Sequence, residues 1–130
     1  MEVLISFDDF TPTDTSPIYL QIILHIKRGI AAGNVVDGDE VPSRRSLSAL
    51  LGVNPNTVQK SYHILEEEGI IFSSPGAKSC VTIDQQKIAL IRAQLLGDQA
   101  KEMIHAMKQM RISKEEALAT LSSLWEEIPS

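Results

Sequence analysis

The chain has 130 residues, 43% of them hydrophobic, which is enough for one compact domain or a small domain with an appendage. No apolar run approaches the roughly 18 residues of a membrane-spanning helix, and no basic segment followed by an apolar block opens the sequence. We therefore expect a cytoplasmic protein with no membrane partner. The single cysteine, Cys80, excludes an internal disulfide and a cysteine metal cage, and we expect it to be a buried small hydrophobe.

The net charge is −5, because 12 Lys and Arg face 17 Asp and Glu. The first 83 residues contain six basic and ten acidic side chains, so general attraction to a polyanion should be weak. The basic residues are not spread evenly over this part of the chain, however. Four of those six basic residues lie in the segments 42–62 and 73–78 that carry the motifs described below: Arg44, Arg45, Lys60 and Lys78.

The first predicted elements are an arm and a helix. Alternation of Val3, Ile5 and Phe7 predicts a short strand or extended arm. Pro17 then opens a helix that Gly33 closes. Its apolar residues recur at spacings of four, as one helical face requires: Ile18, Ile22, Ile26 and Ile30.

Residues 42–62 predict two short helices joined by a tight turn, which is a helix-turn-helix. The first helix has Ser43 as its N-cap and Gly52 at its end, and we expect its three leucines to be buried: Leu47, Leu50 and Leu51. The second has Asn54 as N-cap, Pro55 at its first position and Gly69 just beyond its last turn.

The second helix of this motif has two chemically different sides. At about 100° per residue, Val58, Tyr62 and Leu65 fall on one side. The opposite side carries polar groups: Asn56, Gln59, Lys60 and His63. Asn and Gln can bond adenine edges, and Lys can reach guanine or phosphate. The pattern favours DNA binding, although an ordinary helical hairpin with a polar solvent face would show the same alternation.

The following segment predicts a β-hairpin. The apolar runs 70–72 and 81–83 suit two short strands, and Ser73 to Lys78 suits the turn between them. Three helices followed by such a hairpin make a winged helix-turn-helix, in which the turn is the wing.

The last segment predicts two helices. Asp84 suits the N-cap of the first, and Ser113 with Glu116 suits a capping box at the start of the second. Two helices cannot bury this much apolar surface between themselves, so we expect a second copy of the chain to cover it, whereas the alternative is packing against the winged domain of the same chain. The expected dimer interface comprises Ala89, Ala93, Leu96, Ala100, Met103, Met107, Met110, Leu121 and Trp125.

The predicted fold is thus mainly α with a small β-hairpin. Residues 1–83 would form a winged helix-turn-helix DNA-binding domain, and residues 84–130 a C-terminal helical dimerisation segment. No glycine-rich phosphate loop or activated nucleophile is recognisable, and the histidines have no partners at ligand spacing. We therefore expect neither an enzyme nor a metal site, and no cofactor.

Four segments in the observed order resemble the GntR family of bacterial winged-helix transcription regulators: PIYLQI at 17–22, PSRRSL at 42–47, LGVNPNTV at 51–58 and LEEEGI at 65–70. The resemblance covers roughly residues 3–83. The short two-helix tail is similar to that of the YtrA-type subfamily. Its members lack a large effector domain, dimerise through the tail and often repress operons that encode ABC transporters.

The resemblance implies where DNA would be contacted. Arg45 takes the place of the family's DNA-contacting arginine, and Gly76 that of the wing glycine that approaches the minor groove. The wing departs from the family pattern, because serines replace its basic approach and Lys78 replaces its second glycine. Arg44 stands where an acid is common, and Arg44 and Lys78 would compensate. The resemblance also places Asn54, Asn56, Thr57 and Lys60 at recognition-helix contact positions, and the hydroxyls of Ser43 and Thr57 can donate to phosphate. With Gln59 of the helix face, the predicted DNA-binding set is Ser43, Arg44, Arg45, Asn54, Asn56, Thr57, Gln59, Lys60, Gly76 and Lys78.

These patterns predict a homodimeric, sequence-specific repressor that binds an inverted-repeat operator in double-stranded DNA, with an unidentified small-molecule effector as a further candidate partner. For Arg45, an ion pair with Glu40 within the chain is the alternative to a DNA contact, and for Ser43 the alternative is capping alone. The acidic charge of the first 83 residues and the altered wing motivate a second hypothesis. On that hypothesis, the chain is a winged-helix protein-interaction module with weak or no DNA binding.

Overall fold

A computed structural model describes residues 4–73 and 78–130. Within these residues there are five helices and one two-stranded antiparallel sheet, so the predicted class is confirmed. In chain order the elements are α1 (Ile18–Ala32), α2 (Arg44–Leu51), α3 (Pro55–Glu67), β1 (Ile71–Ser73), β2 (Ser79–Val81), α4 (Gln85–Gln109) and α5 (Lys114–Glu127).

Helix α1 is the core helix of the first half of the chain. Its buried residues are Ile22, Ile23, Ile26 and Ile30, and Gly33 ends it in the left-handed conformation as predicted. A methyl group on Gly29 would lie 2.6 Å from Cγ2 of Val35. The segment after α1 can therefore pack onto the helix only because residue 29 lacks a side chain.

Helices α2 and α3 begin at the predicted caps. Ser43 accepts a hydrogen bond from the Ser46 amide and Asn54 accepts one from the Asn56 amide. Leu47 is buried, but the predictions for Leu50 and Leu51 were wrong, because Leu50 is 63% exposed and Leu51 is only half-buried. The buried stripe of α2 runs from Leu47 toward Ser48, and Leu50 is turned about 60° from Leu47 in the opposite direction.

The hairpin pairs Ile71 with Val81 and Ser73 with Ser79. The predicted second strand, 81–83, was placed two residues too late. The Thr82 amide still donates to the Ile70 carbonyl at 2.8 Å, but the Ile70 amide donates to the Leu65 carbonyl at 2.9 Å rather than back to Thr82, so the ladder ends there. The prediction for Cys80 was also wrong, since this residue is only half-buried. Wing residues 74–77 lie outside the described part of the chain.

The N-terminal arm and residue 40 extend this sheet. Glu40 forms one isolated bridge with Cys80 and another with Leu4, and its carbonyl accepts the Ile5 amide at 2.9 Å. Ile5 and Phe7 are buried, as an arm that packs on the core requires. The third residue of the predicted alternation, Val3, lies outside the described residues.

The chain forms two compact units, Met1–Arg92 and Ala93–Ser130. The start of α4 belongs to the first unit: Asp84 caps it, Ile91 is buried, and Lys87 Nζ donates to the Gly69 carbonyl at 2.6 Å. Arg92 donates a further hydrogen bond to the Ala31 carbonyl. The functional boundary that we predicted after residue 83 stays a prediction.

The second unit holds the rest of α4 and all of α5. Arg111, with φ of 57°, lies in the break between α4 and α5, and Ser113 accepts the Glu116 amide as the predicted cap. No side chain in residues 93–130, all of which are described, is fully buried.

None of the helices in the described residues combines the length and hydropathy that a membrane-spanning segment requires.

Candidate nucleic-acid interface

Helix α3 has the two sides that the sequence predicts. Val58, Tyr62 and Leu65 are buried in the core. The opposite side is exposed along its length and carries Asn56, Gln59, Lys60 and His63. A helix with this division presents one continuous row of polar groups to an external partner.

The buried side of α3 is held by directional bonds as well as by packing. The hydroxyl of Tyr62 donates to the Pro42 carbonyl at 2.7 Å, and that of Ser61 donates to the Tyr19 carbonyl at 3.0 Å. Burial raises the pKa of the Tyr62 phenol well above its usual range, while the nearby Arg44 guanidinium acts in the opposite direction. These contacts fix the rotation of α3 about its axis, and with it the direction of the exposed row.

Two amides of the exposed row are free to form new hydrogen bonds. Within residues 4–73 and 78–130, the side chains of Asn56 and Gln59 have no hydrogen-bond partner. Asn54 differs, because its side-chain oxygen already accepts the Asn56 amide at 2.8 Å. Thr57 is half-buried at the edge of the row.

The other two members of the row make contacts within the chain. Lys60 is exposed, but its ammonium group lies 3.9 Å from the ring centroid of Tyr19, in cation–π geometry. His63 lies 2.6 Å from a carboxylate oxygen of Glu67. Contact of Lys60 with a base or phosphate therefore requires its ammonium group to leave the tyrosine ring.

The neighbouring arginines of α2 are in different environments. Arg45 is exposed and forms no ion pair with the described residues, and Glu40, its expected alternative partner, pairs with Lys78 instead. Arg44 is half-buried, and its guanidinium lies 3.2 Å from a carboxylate oxygen of Glu66 and 5.7 Å from the Tyr62 ring centroid. Arg44 therefore joins α2 to α3 within the chain.

The remaining predicted contacts lie at the start of α2 and at the wing. Ser43 is exposed, and besides capping α2 its hydroxyl donates to that of Ser46 at 2.8 Å. Lys78 is exposed and ion-paired, with 3.1 Å between Nζ and Oε1 of Glu40. Gly76 lies outside the described residues. At the base of the wing, Ser73 donates to Glu66 at 3.1 Å and shares a 2.5 Å hydrogen bond with Ser79.

The predicted dimer residues of α4 and α5 divide into two sets. The exposed set contains Ala89, Ala93, Leu96, Met110 and Trp125, and the half-buried set contains Ala100, Met103, Met107 and Leu121. Trp125 is 78% exposed and Leu96 73%. Large apolar groups at this exposure are available for contact with another surface.

Sequence reasoning missed the contacts that three residues make at the interface. Tyr19 was given no role, yet the Lys60 ammonium group lies over its ring. Glu40 and Glu66 pair with Lys78 and Arg44, which lie 38 and 22 positions away in sequence. No local spacing indicates such pairs, because the fold alone brings them together.

Over the described residues, no group of three or more His, Cys, Asp or Glu side chains lies close enough together to hold a metal ion.

Comparison with known proteins finds a matching family model, similar sequences and a similar solved structure. Residues 18–81 match the family model "Bacterial regulatory proteins, gntR family". The chain is 36% identical over 95 residues to the HTH-type transcriptional repressor YtrA of Bacillus subtilis, covering 72% of each chain. It is 32% identical to the uncharacterized HTH-type transcriptional regulator YhcF of the same organism, covering 86% of this chain and 93% of the relative. A solved GntR family transcriptional regulator from Listeria monocytogenes superposes with a TM-score of 0.78 at 32% identity, covering 86% of this chain and 98% of the other.

Proposed function

This chain belongs to the GntR family of bacterial transcription regulators, with the winged-helix fold of its relatives, and from that premise we propose that it is a homodimeric repressor that binds an inverted-repeat operator. The observation that carries the proposal is the exposed row on α3, whose reverse side is anchored in the core. The free amides of Asn56 and Gln59 suit the reading of base edges in a major groove. Arg45, Ser43 and Thr57 flank the row and suit phosphate contacts.

We propose dimerisation because the second compact unit leaves its apolar side chains without a core. Residues 93–130 bury no side chain, although they include large apolar residues such as Leu96, Leu118 and Trp125. Helices in water gain most of their stability from packing of an apolar face, so these helices need a partner surface. A second copy supplies one with two-fold symmetry, and that symmetry predicts an inverted repeat in the DNA.

The repressor role is proposed from similarity to YtrA of Bacillus subtilis, an HTH-type transcriptional repressor. On this proposal the dimer blocks transcription by occupying its operator, and the protein acts in the cytoplasm, where the DNA is. An unidentified small molecule bound by the tail would release the operator.

The direct test is selection of DNA by the purified protein from a random duplex library, followed by titration of the enriched duplex at several salt concentrations. We expect an inverted repeat with two half-sites and an affinity that falls steeply as salt rises, because each phosphate contact releases counterions. A winged-helix module that binds only proteins would enrich no duplex, or would bind DNA weakly with a flat salt response. Either result would overturn the proposal.

A further inference from the structure

Lys78, the cation at the base of the wing, already forms an ion pair with Glu40. Lys78 Nζ lies 3.1 Å from Oε1 of Glu40, and the Lys78 side chain is 76% exposed whereas that of Glu40 is 27% exposed. Glu40 is held in place by the sheet, because its backbone bridges both Leu4 and Cys80. An exposed cation is thus paired with an anion whose backbone is held by the sheet.

Lys78 borders a cleft that is also lined by predicted contact residues at the start of α2. Lys78 and Ser79 line one part of this cleft, and Ser43 and Arg44 line another, around a volume of about 590 Å³. Such a space admits a phosphate group of a DNA backbone. Arg44 cannot supply the cation without breaking its pair with Glu66, which also holds Ser73 of β1. Lys78 is therefore the cation of this cleft that is released at least cost, since exposed ion pairs are weak.

We infer that Glu40 is a built-in competitor of DNA, which holds Lys78 until a backbone phosphate replaces it. The inference rests on the proposed function and adds a regulatory residue to the same surface. In the free protein Glu40 neutralises the wing cation and repels approaching phosphates. Binding requires Lys78 to exchange one oxygen anion for another, so the chain's affinity for DNA is set below what its basic residues allow.

The first unit contains a matched control pair. Lys27 Nζ and Oε1 of Glu68 are also 3.1 Å apart, and they join α1 to the last turn of α3 rather than the wing to the start of α2. Neither residue belongs to the predicted contact set. Glu68→Gln therefore removes the same charge and the same kind of ion pair, and it measures the general effect of making the domain less acidic.

The experiment compares full-length wild type, Glu40→Gln, Glu68→Gln, Lys78→Met and the double variant Glu40→Gln/Lys78→Met. Binding is measured by fluorescence anisotropy on the duplex enriched by selection and on a random-sequence duplex. We expect Glu40→Gln to bind about two- to fivefold more tightly than wild type, the range of one exposed ion pair. Glu68→Gln should give less than half of this gain.

Lys78→Met should abolish the special effect of residue 40, so that Glu40→Gln then changes affinity no more than Glu68→Gln does. A gain that is equal in the two Gln variants, or that persists without Lys78, would overturn the inference while leaving the proposed function intact. Failure of wild type and Glu40→Gln alike to bind either duplex would overturn both.

Discussion

The polar side chains of the helix-turn-helix differ in whether they already have a partner within the chain. Arg45, Asn56 and Gln59 are exposed without side-chain partners among the described residues, whereas Arg44 is committed to Glu66. A residue without a partner in the chain can contact DNA without breaking a contact that stabilises the fold. A residue with such a partner must first break that contact. This difference separates contact residues from positioning residues within one short motif.

Arg45→Met should weaken binding to the selected duplex by about 1–3 kcal/mol and leave the free energy of unfolding within about 0.5 kcal/mol of wild type. Arg44→Met is the neighbouring comparison. It should lower the free energy of unfolding by roughly 1 kcal/mol or more, because it leaves the half-buried Glu66 without its cation. Urea denaturation and anisotropy on both variants check this. A loss of DNA affinity confined to Arg44→Met would reverse the two assignments.

Gly29→Ala should destabilise the protein by about 1–3 kcal/mol, because its methyl group would overlap the Val35 side chain at 2.6 Å. Gly97→Ala is the matched control. It lies within helix α4 with no atom within 4 Å of the added methyl, so it should stabilise α4 by up to about 1 kcal/mol. Thermal denaturation of both variants measures the difference, and equal effects would contradict the close approach at residue 29.

The free energy of unfolding should fall at alkaline pH because of the buried Tyr62 phenol. Burial raises the pKa of its phenol in the folded chain above the unfolded value of about 10. The stabilisation is therefore complete below that pH and is lost as the pH rises above it, because only the unfolded chain then releases the proton. Tyr62→Phe cannot ionise and should show a shallower decline in unfolding free energy over the same range. Equal slopes for the two proteins would contradict burial of the phenol.

Which side chains of α3 are buried and which are exposed could be predicted from their angles around the helix axis. The positions of Val58 and Gln59 on opposite sides of α3 follow from 3.6 residues per turn once the helix is recognised. The partners of Arg44, Lys60 and Lys78 could not be predicted, because tertiary packing brings them from distant segments. Sequence reasoning therefore identified the exposed row but not which of its neighbours is already paired.

At the scale of elements, the helix ends were predictable because caps are local. Ser43, Asn54 and Ser113 each bond an amide two or three residues ahead, so sequence alone locates these starts. The second wing strand was misplaced because the Ile70 amide, which would extend the ladder past Val81, bonds the Leu65 carbonyl of α3 instead. Short strands have little periodicity of their own, and tertiary bonds decide their limits.

The N-cap of α3 offers a test that separates folding from DNA contact. Asn54→Asp keeps an oxygen that can accept the Asn56 amide, so stability should change by less than about 0.5 kcal/mol, whereas Asn54→Ala should cost about 1 kcal/mol. The added carboxylate would repel phosphate at the end of α3 that we propose enters the groove. Asn54→Asp should therefore bind the selected duplex less tightly than Asn54→Ala. The opposite order of affinities would place this end of α3 away from DNA.

At the scale of the whole molecule, the second compact unit needs a partner. Leu96→Glu places a charge on the exposed apolar surface of α4 and should shift the protein from dimer to monomer in sedimentation velocity, with loss of affinity for the full inverted repeat. His105→Glu is the control, since it adds a negative charge at an exposed polar position of the same helix. A wild-type chain that sediments as a monomer at micromolar concentration would contradict the dimer.

Contact between the exposed row of α3 and DNA can be observed by chemical-shift mapping of the isotope-labelled protein with the selected duplex. We expect the largest side-chain and amide shifts at Asn56, Gln59, Lys60 and His63. Shifts confined to residues 93–130 or to the face of α1, with the α3 row unchanged under saturating duplex, would contradict it.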